Sequence, residues 1–255
     1  MSKYQSIQES PHHSLLSESY DRVGQETWKG KDLNSSSLEV SRDLFTEDSL
    51  IKRNPRPKNL EVYALLSGLP FEGNFSKELL KVQQEIDRVL DGSLRYWVLQ
   101  ENLGLEYCVF KWPEYDWNME WEEKIYNNLP KLNKPFRFVV LGIQINPDGC
   151  IIAKGFDEGD AIFKFRKKLK DRLDFLPDRQ SSWAHIPLGR ILEPIGEFKF
   201  HKLAQLCKDL SNIYIASCEI NTMKFVHETQ WYMEKKNILK EFHIGNNKIK
   251  IEGKD

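Results

Sequence analysis

Between Leu60 and Ile244 the spacing of apolar residues switches repeatedly between a period of two and a period near 3.6, and few folds accept that order. Leu60–Leu66 reads as a strand. Phe75, Leu79, Val82, Ile86, Val89 and Leu90 then recur at helical spacing ahead of Gly92. Tyr96–Leu99 and Leu103–Phe110 are predicted strands, and Trp112–Leu129 is a predicted helix stepping through Trp117, Trp121, Ile125 and Leu129. Asn146-Pro-Asp-Gly149 is a tight reversal that joins Phe136–Ile145 to Cys150–Lys154 as an antiparallel hairpin. A helix follows through Ile162, Phe165, Leu169 and Leu173, then a strand at Ala184–Leu192 and a helix at Phe200–Leu210. Ile213–Glu219, Met223–Thr229 and Ile238–Ile244 close the chain as strands. Helices interleaved with antiparallel hairpins predict an α+β fold, with helices on one side of each sheet.

Residues 1–57 read differently. They carry 11 serines by residue 50 and only isolated large apolar residues such as Trp28 and Phe45. No period survives more than one turn, so a disordered or loosely docked tail is expected, with one domain over residues 58–255. Arg53-Asn-Pro-Arg-Pro57 is the stiff boundary between them.

Composition removes several function classes. The 255 residues hold 37 basic and 38 acidic side chains, a formal charge of −1, which argues against a nucleic-acid grip over the whole surface. No apolar run reaches transmembrane length and no secretory signal is visible. The cysteines Cys108, Cys150, Cys207 and Cys218 form no C-x-x-C pair, so reduced thiols in a cytoplasm are expected. Phosphate-loop, dinucleotide, zinc-protease and α/β-hydrolase signatures are all missing.

The most specific stretch is Trp183-Ala-His-Ile-Pro-Leu-Gly-Arg190. On a strand, Ile186 and Leu188 point to the core and leave His185 on the open face. Strand parity puts Arg190 opposite His185 unless Gly189 introduces a bulge, and a structural ion pair is the simpler role for it. The bland reading of His185 is a partly buried histidine bonded to a backbone carbonyl.

His185-Ile-Pro-Leu-Gly-Arg190 resembles the second signature of the 2H phosphoesterase superfamily, the cyclic phosphodiesterases and 2′-5′ RNA ligase-like proteins. The stretches Phe225–Tyr232 and Ile238–Ile244 resemble that family's closing hairpin, and the resemblance spans roughly residues 60–245. It implies a two-lobed fold with antiparallel sheets flanking a central cleft and helices outside. It also implies a metal-independent reaction without cofactor, in which paired histidines transfer protons and paired hydroxyls hold the phosphate. The sequence departs from that pattern. Pro187 stands at the second hydroxyl position, and the first motif falls in Glu101–Phe110, where no register supplies a histidine. Glu106 lies in the cleft in either register and is the candidate partner of His185, with Cys108 at the hydroxyl position. Arg190 and His227 are candidate substrate contacts. The resemblance thus implies a divergent phosphodiesterase acting on a cyclic phosphate or an RNA-like 2′-linked ester, by a monomer. The alternative is an eroded 2H fold that binds a nucleotide, an RNA end or a protein. A serine-rich-tail adaptor is the blandest option. The two-lobed reading further expects Glu106 and His185 on central strands, facing one water-filled groove, with Leu105, Tyr107 and Val109 on the other face.

Overall fold

The computed structural model describes residues 5–8 and 10–245. Four helices come first: α1 (Gln5–Gln8), α2 (Pro11–Thr27), α3 (Ser35–Arg42) and α4 (Glu47–Ile51). Then follow β1 (Asn59–Gly68), α5 (Phe75–Val89), β2 (Arg95–Trp97), β3 (Gly104–Lys111), α6 (Glu120–Asn128), β4 (Phe136–Ile145) and β5 (Cys150–Asp157). The chain closes with α7 (Ala161–Lys170), β6 (Ile186–Ile191), α8 (Glu197–Asp209), β7 (Tyr214–Ile220), β8 (Thr222–Gln230) and β9 (Lys235–His243).

The strands form two antiparallel sheets, β3-β1-β8-β9 and β2-β6-β5-β4-β7. The β4–β5 reversal is the expected one: Asn146 N–H donates to Cys150 O at 2.8 Å and Gly149 N–H to Asn146 O at 2.9 Å. Gly149 is required there. Its φ is +80°, and a Cβ would stand 2.6 Å from Leu38 Cδ2. The Trp-rich helix is shorter than its periodicity suggests. Residues 112–119 are turns and loop, and Trp117 stacks flat on Tyr63 at 3.8 Å instead of continuing a helical face.

The N-terminal segment departs most from expectation. It is folded and docked. Leu16, Tyr20, Leu33, Leu38, Phe45 and Leu50 are all buried in the same core as the sheets. Burial of such side chains contributes roughly 1.5–3 kcal/mol each, enough to hold these helices against the sheets. Asn34 caps α3 by accepting from Ser37 N–H. Leu33 bridges to Ile195, and Phe45 to Pro57. Long-range docking supplied what local periodicity did not announce.

Candidate active site

Strand register decides which side chains share a face. On the first sheet Leu66 lies opposite Glu106 and Lys224, Ala64 opposite Val109 and Val226, and Val62 opposite Glu228. Val62, Ala64, Leu66, Val109, Val226 and Met233 form a small apolar cluster on this face, so Glu106 and Glu228 belong to it. Leu65 lies opposite Cys108, on the other face. The register slips between Leu65 and Leu66, an irregularity that inserts Tyr107. That slip turns Cys108 away from Glu106 and puts Val109 on the Glu106 side, reversing both expectations. Cys108 is buried in the main core, where desolvation pushes its thiol well up; it is not a ligand contact. β3 is also an outer strand, not a central one.

His227 is placed differently too. It pairs with Tyr63, stacks on that ring at 4.3 Å, and shares a 3.2 Å hydrogen bond with Glu61. Tyr63 belongs to the main core, so His227 faces away from Glu106. Its neighbour Glu228 takes the inward position.

On the second sheet Pro187 lies opposite Ile152 and Arg190 opposite Cys150, with the register slipping at Leu188. Ile152 and Cys150 share a face by alternation, so Pro187 and Arg190 do as well. His185, two residues before Pro187, follows the same alternation, and the nearby charges of Arg166 and Arg190 both act on it. The bulge thus joins Arg190 to the His185 face. Arg190 is nevertheless occupied: its Nη1 donates to Asp148 Oδ2 at 2.7 Å and to Ser41 Oγ at 2.6 Å, and its Nε donates to Tyr232 Oη. It is a half-buried structural ion pair with its donors engaged, not an open substrate contact.

The N-terminal helices lie on this face. The Tyr20 ring packs 4.9 Å from Trp183 and 5.7 Å from Phe156, and its hydroxyl donates to Gly155 O at 3.3 Å. Lys154, which alternates with Phe156 and Ile152, reaches Asp21 at 3.3 Å. Trp183 Nε1 donates to Ser19 Oγ at 2.9 Å. The chain itself packs over the face expected to be an open groove, and His185 is left half-buried. His185 Nδ1 is enclosed and without a partner. Desolvation, with the Arg166 and Arg190 charges, pushes the imidazole down to about 4.

Arg166 connects the two sides. Its Nε donates to Tyr107 O at 2.8 Å, and its Nη2 donates to Glu106 O at 2.7 Å and Trp183 O at 2.9 Å. One guanidinium therefore ties β3 to the segment that leads into β6. Its Nη1 is buried without a partner. Glu106 is held above its ordinary range by desolvation, against the pull of Arg166 and Arg179. Glu228 is buried and pushed up to about 7 by desolvation, although it accepts from Met233 N–H at 2.9 Å. Motif reading missed Arg166 and Glu228, yet both left a trace in the sequence. Arg166 falls in the apolar stripe of Ile162, Phe165 and Leu169, and Glu228 alternates with buried Val226. A charge in phase with the core marks a position that tertiary contacts must satisfy.

Among the described residues no group of His, Cys, Asp and Glu could hold a metal ion, and no helix is long and apolar enough to cross a membrane. No protein-family model and no curated protein matches the chain. Solved structures do share its architecture. TT0787 of Thermus thermophilus aligns with a TM-score of 0.51 at 14% identity, covering 73% of this chain and 100% of its own. LigT of E. coli, solved with phosphate, aligns at 0.50 and 11% identity over 74% of this chain and 100% of LigT. A structure described as a phosphoesterase aligns at 0.50 and 10% identity over 73% and 99%. These proteins belong to the 2H phosphoesterase superfamily.

Proposed function

We propose, on the premise that this chain has the 2H phosphoesterase fold, that it works by binding and not as a cyclic phosphodiesterase. One observation carries the reading. The face that holds His185 is covered by α2 and α3 of the same chain, and its Nδ1 is enclosed. A general base works best with a pKa near the operating pH, and an imidazole held near 4 is a weak base at neutrality. Glu106, desolvated and held toward its protonated form, could donate a proton but faces no free partner histidine. The groups that the fold's chemistry would need for holding phosphate are engaged or replaced: Arg190 is paired to Asp148, Cys108 is in the core, and Pro187 has no hydroxyl.

One observation favours the second reading, a divergent phosphodiesterase. Arg166 Nη1 and His185 Nδ1 are both buried without partners, and the Arg166 charge acts on His185. A phosphate oxygen would satisfy such donors. The two readings separate in one assay. Purified full-length protein is incubated with nucleoside 2′,3′-cyclic phosphates beside a His185→Ala variant. Binding without catalysis expects both to match the rate without protein. Turnover by the wild type that is lost in His185→Ala would establish the phosphodiesterase instead.

A further inference from the structure

The two halves of α2 are held in different ways. In the second half Tyr20, Gly24 and Thr27 are buried. Thr27 Oγ1 donates to Ile145 O at 2.7 Å, and a Cβ at Gly24 would stand 3.2 Å from Gln144 Cδ, so the helix lies close against β4. The first half rests on imidazoles. Besides buried Leu16 it presents His12, whose ring lies 3.9 Å from that of Phe163, and His13, whose ring lies 4.5 Å from that of Phe156. His12 Nε2 is enclosed without a partner.

The surroundings resist a proton on either ring. Arg166 lies over the same Phe163 ring at 5.2 Å. Burial, and then the charge of Lys154, hold His13 below its ordinary value. Lys164 of α7 donates to Gly159 O at 2.9 Å, and α1 has no titratable side chain. The carboxylates of the adjoining elements are engaged or face water. Asp160 accepts from Ser10 Oγ at 3.2 Å, Asp157 from Ile162 N–H at 3.0 Å and Asp21 from Lys154 at 3.3 Å, while Glu158 and Glu18 are exposed. Asp157, pushed up to about 6, titrates with the opposite sign, but its bond is to α7 and not to α2. The helix end adds to the resistance. His12 and His13 stand in the first turn of α2, which has no acidic residue and no side-chain cap, and a positive charge there opposes the helix dipole.

We propose that the first half of α2 is an acid-released latch, docked on β5 and α7 while His12 and His13 are neutral and lifted off when they take up protons. The second half stays in place, because Tyr20, Gly24 and Thr27 meet the sheet without a group that charges between pH 7 and pH 5. Release would loosen the Ser19 contact to Trp183, which stands edge-on to His185 at 5.8 Å, and so admit water to that face. Any consequence for a ligand rests on the binding reading above; the release itself does not.

The test is amide hydrogen exchange of the full-length protein at pH 7 and pH 5, with rates corrected for the intrinsic effect of pH and α5 as the internal reference. Protection at residues 15–19 should fall at least tenfold while that of α5 changes less than twofold. Two double variants, His12→Gln/His13→Gln and His12→Phe/His13→Phe, remove the titrating nitrogens, and the second keeps a ring over Phe163 and Phe156. Either one, folded by far-UV dichroism, should keep its pH 7 protection at pH 5. Should neither fold, NMR titration of the wild-type imidazoles decides: the loss of protection must follow protonation of His12 and His13. Unchanged wild-type protection at pH 5, an equal loss in α5, the same loss in a folded variant, or a loss without protonation would each overturn the proposal. Turnover in the phosphodiesterase assay would overturn the binding reading alone.

Discussion

His185 and Glu106 are both half-buried, but they are covered by different means. The His185 face is partly covered by a separate stretch of chain, whose Tyr20, Leu38 and Ser41 are fully buried. Glu106 is shielded within its own sheet and steadied by the guanidinium of Arg166. Apolar covering leaves a titratable group neutral, whereas a buried cation offsets the desolvation of a carboxylate. The same fold therefore holds an imidazole kept neutral on one side and carboxyls raised by desolvation on the other. The two sides share Arg166, whose charge acts on both groups, and four experiments disturb the positions around it.

The largest effect is expected at the covering helices. Tyr20→Ala removes a fully buried ring, and such truncations cost about 3–5 kcal/mol. Urea denaturation measures this directly. A cost below about 1 kcal/mol would mean that α2 is only loosely held and that the His185 face opens readily.

The two titrating groups come next, with opposite signs. The native state resists charging His185, so stability is full above pH 6.5 and falls as pH drops toward about 4. That linkage is worth on the order of 3 kcal/mol, at 1.36 kcal/mol per unit of pKa. His185→Gln should flatten the acid limb of the stability profile, and an imidazole NMR titration of the wild type should show no protonation at pH 6. Glu228 behaves in reverse. Its carboxyl is raised, so the folded state favours the protonated form, and stability falls as pH rises from about 4.5 through about 7. Glu228→Gln should stabilise the protein by roughly 2–3 kcal/mol at pH 8 and by little at pH 4.5. Equal effects at the two pH values would show that Glu228 is not desolvated as its position implies.

Ser41→Ala should give the smallest change. It removes the hydroxyl that accepts from Arg190 and donates to Asp148 O, while Asp148 still pairs with Arg190. The expected cost is about 1–2 kcal/mol, typical of one buried hydrogen-bonded group. Added reactivity of His185 toward diethyl pyrocarbonate in this variant would tie the Ser41 contact to closure of the face.

The sequence by itself determined the α+β class, the hairpin at Asn146–Gly149, most strands, and the resemblance that the fold bears out. Those features rest on local periods and turn residues, which neighbouring positions encode. Only the tertiary structure decided where the site residues point. Register slips at Tyr107 and Leu188, each of one residue, moved Cys108 and Val109 across one strand and brought Arg190 to the His185 side of another. A slip reverses every side chain beyond it, and hydrophobic alternation does not reveal it when both faces are buried. The N-terminal helices were hidden for a related reason. α2 buries Leu16, Tyr20, Gly24 and Thr27 at helical spacing, but a glycine and a threonine hold two of those four places, so the face does not read as an apolar stripe in the sequence. Arg166 shows the limit most plainly. The helical period placed it in the apolar stripe, but the carbonyls of Glu106, Tyr107 and Trp183 that make the position tolerable lie elsewhere in the chain and meet only in the folded molecule.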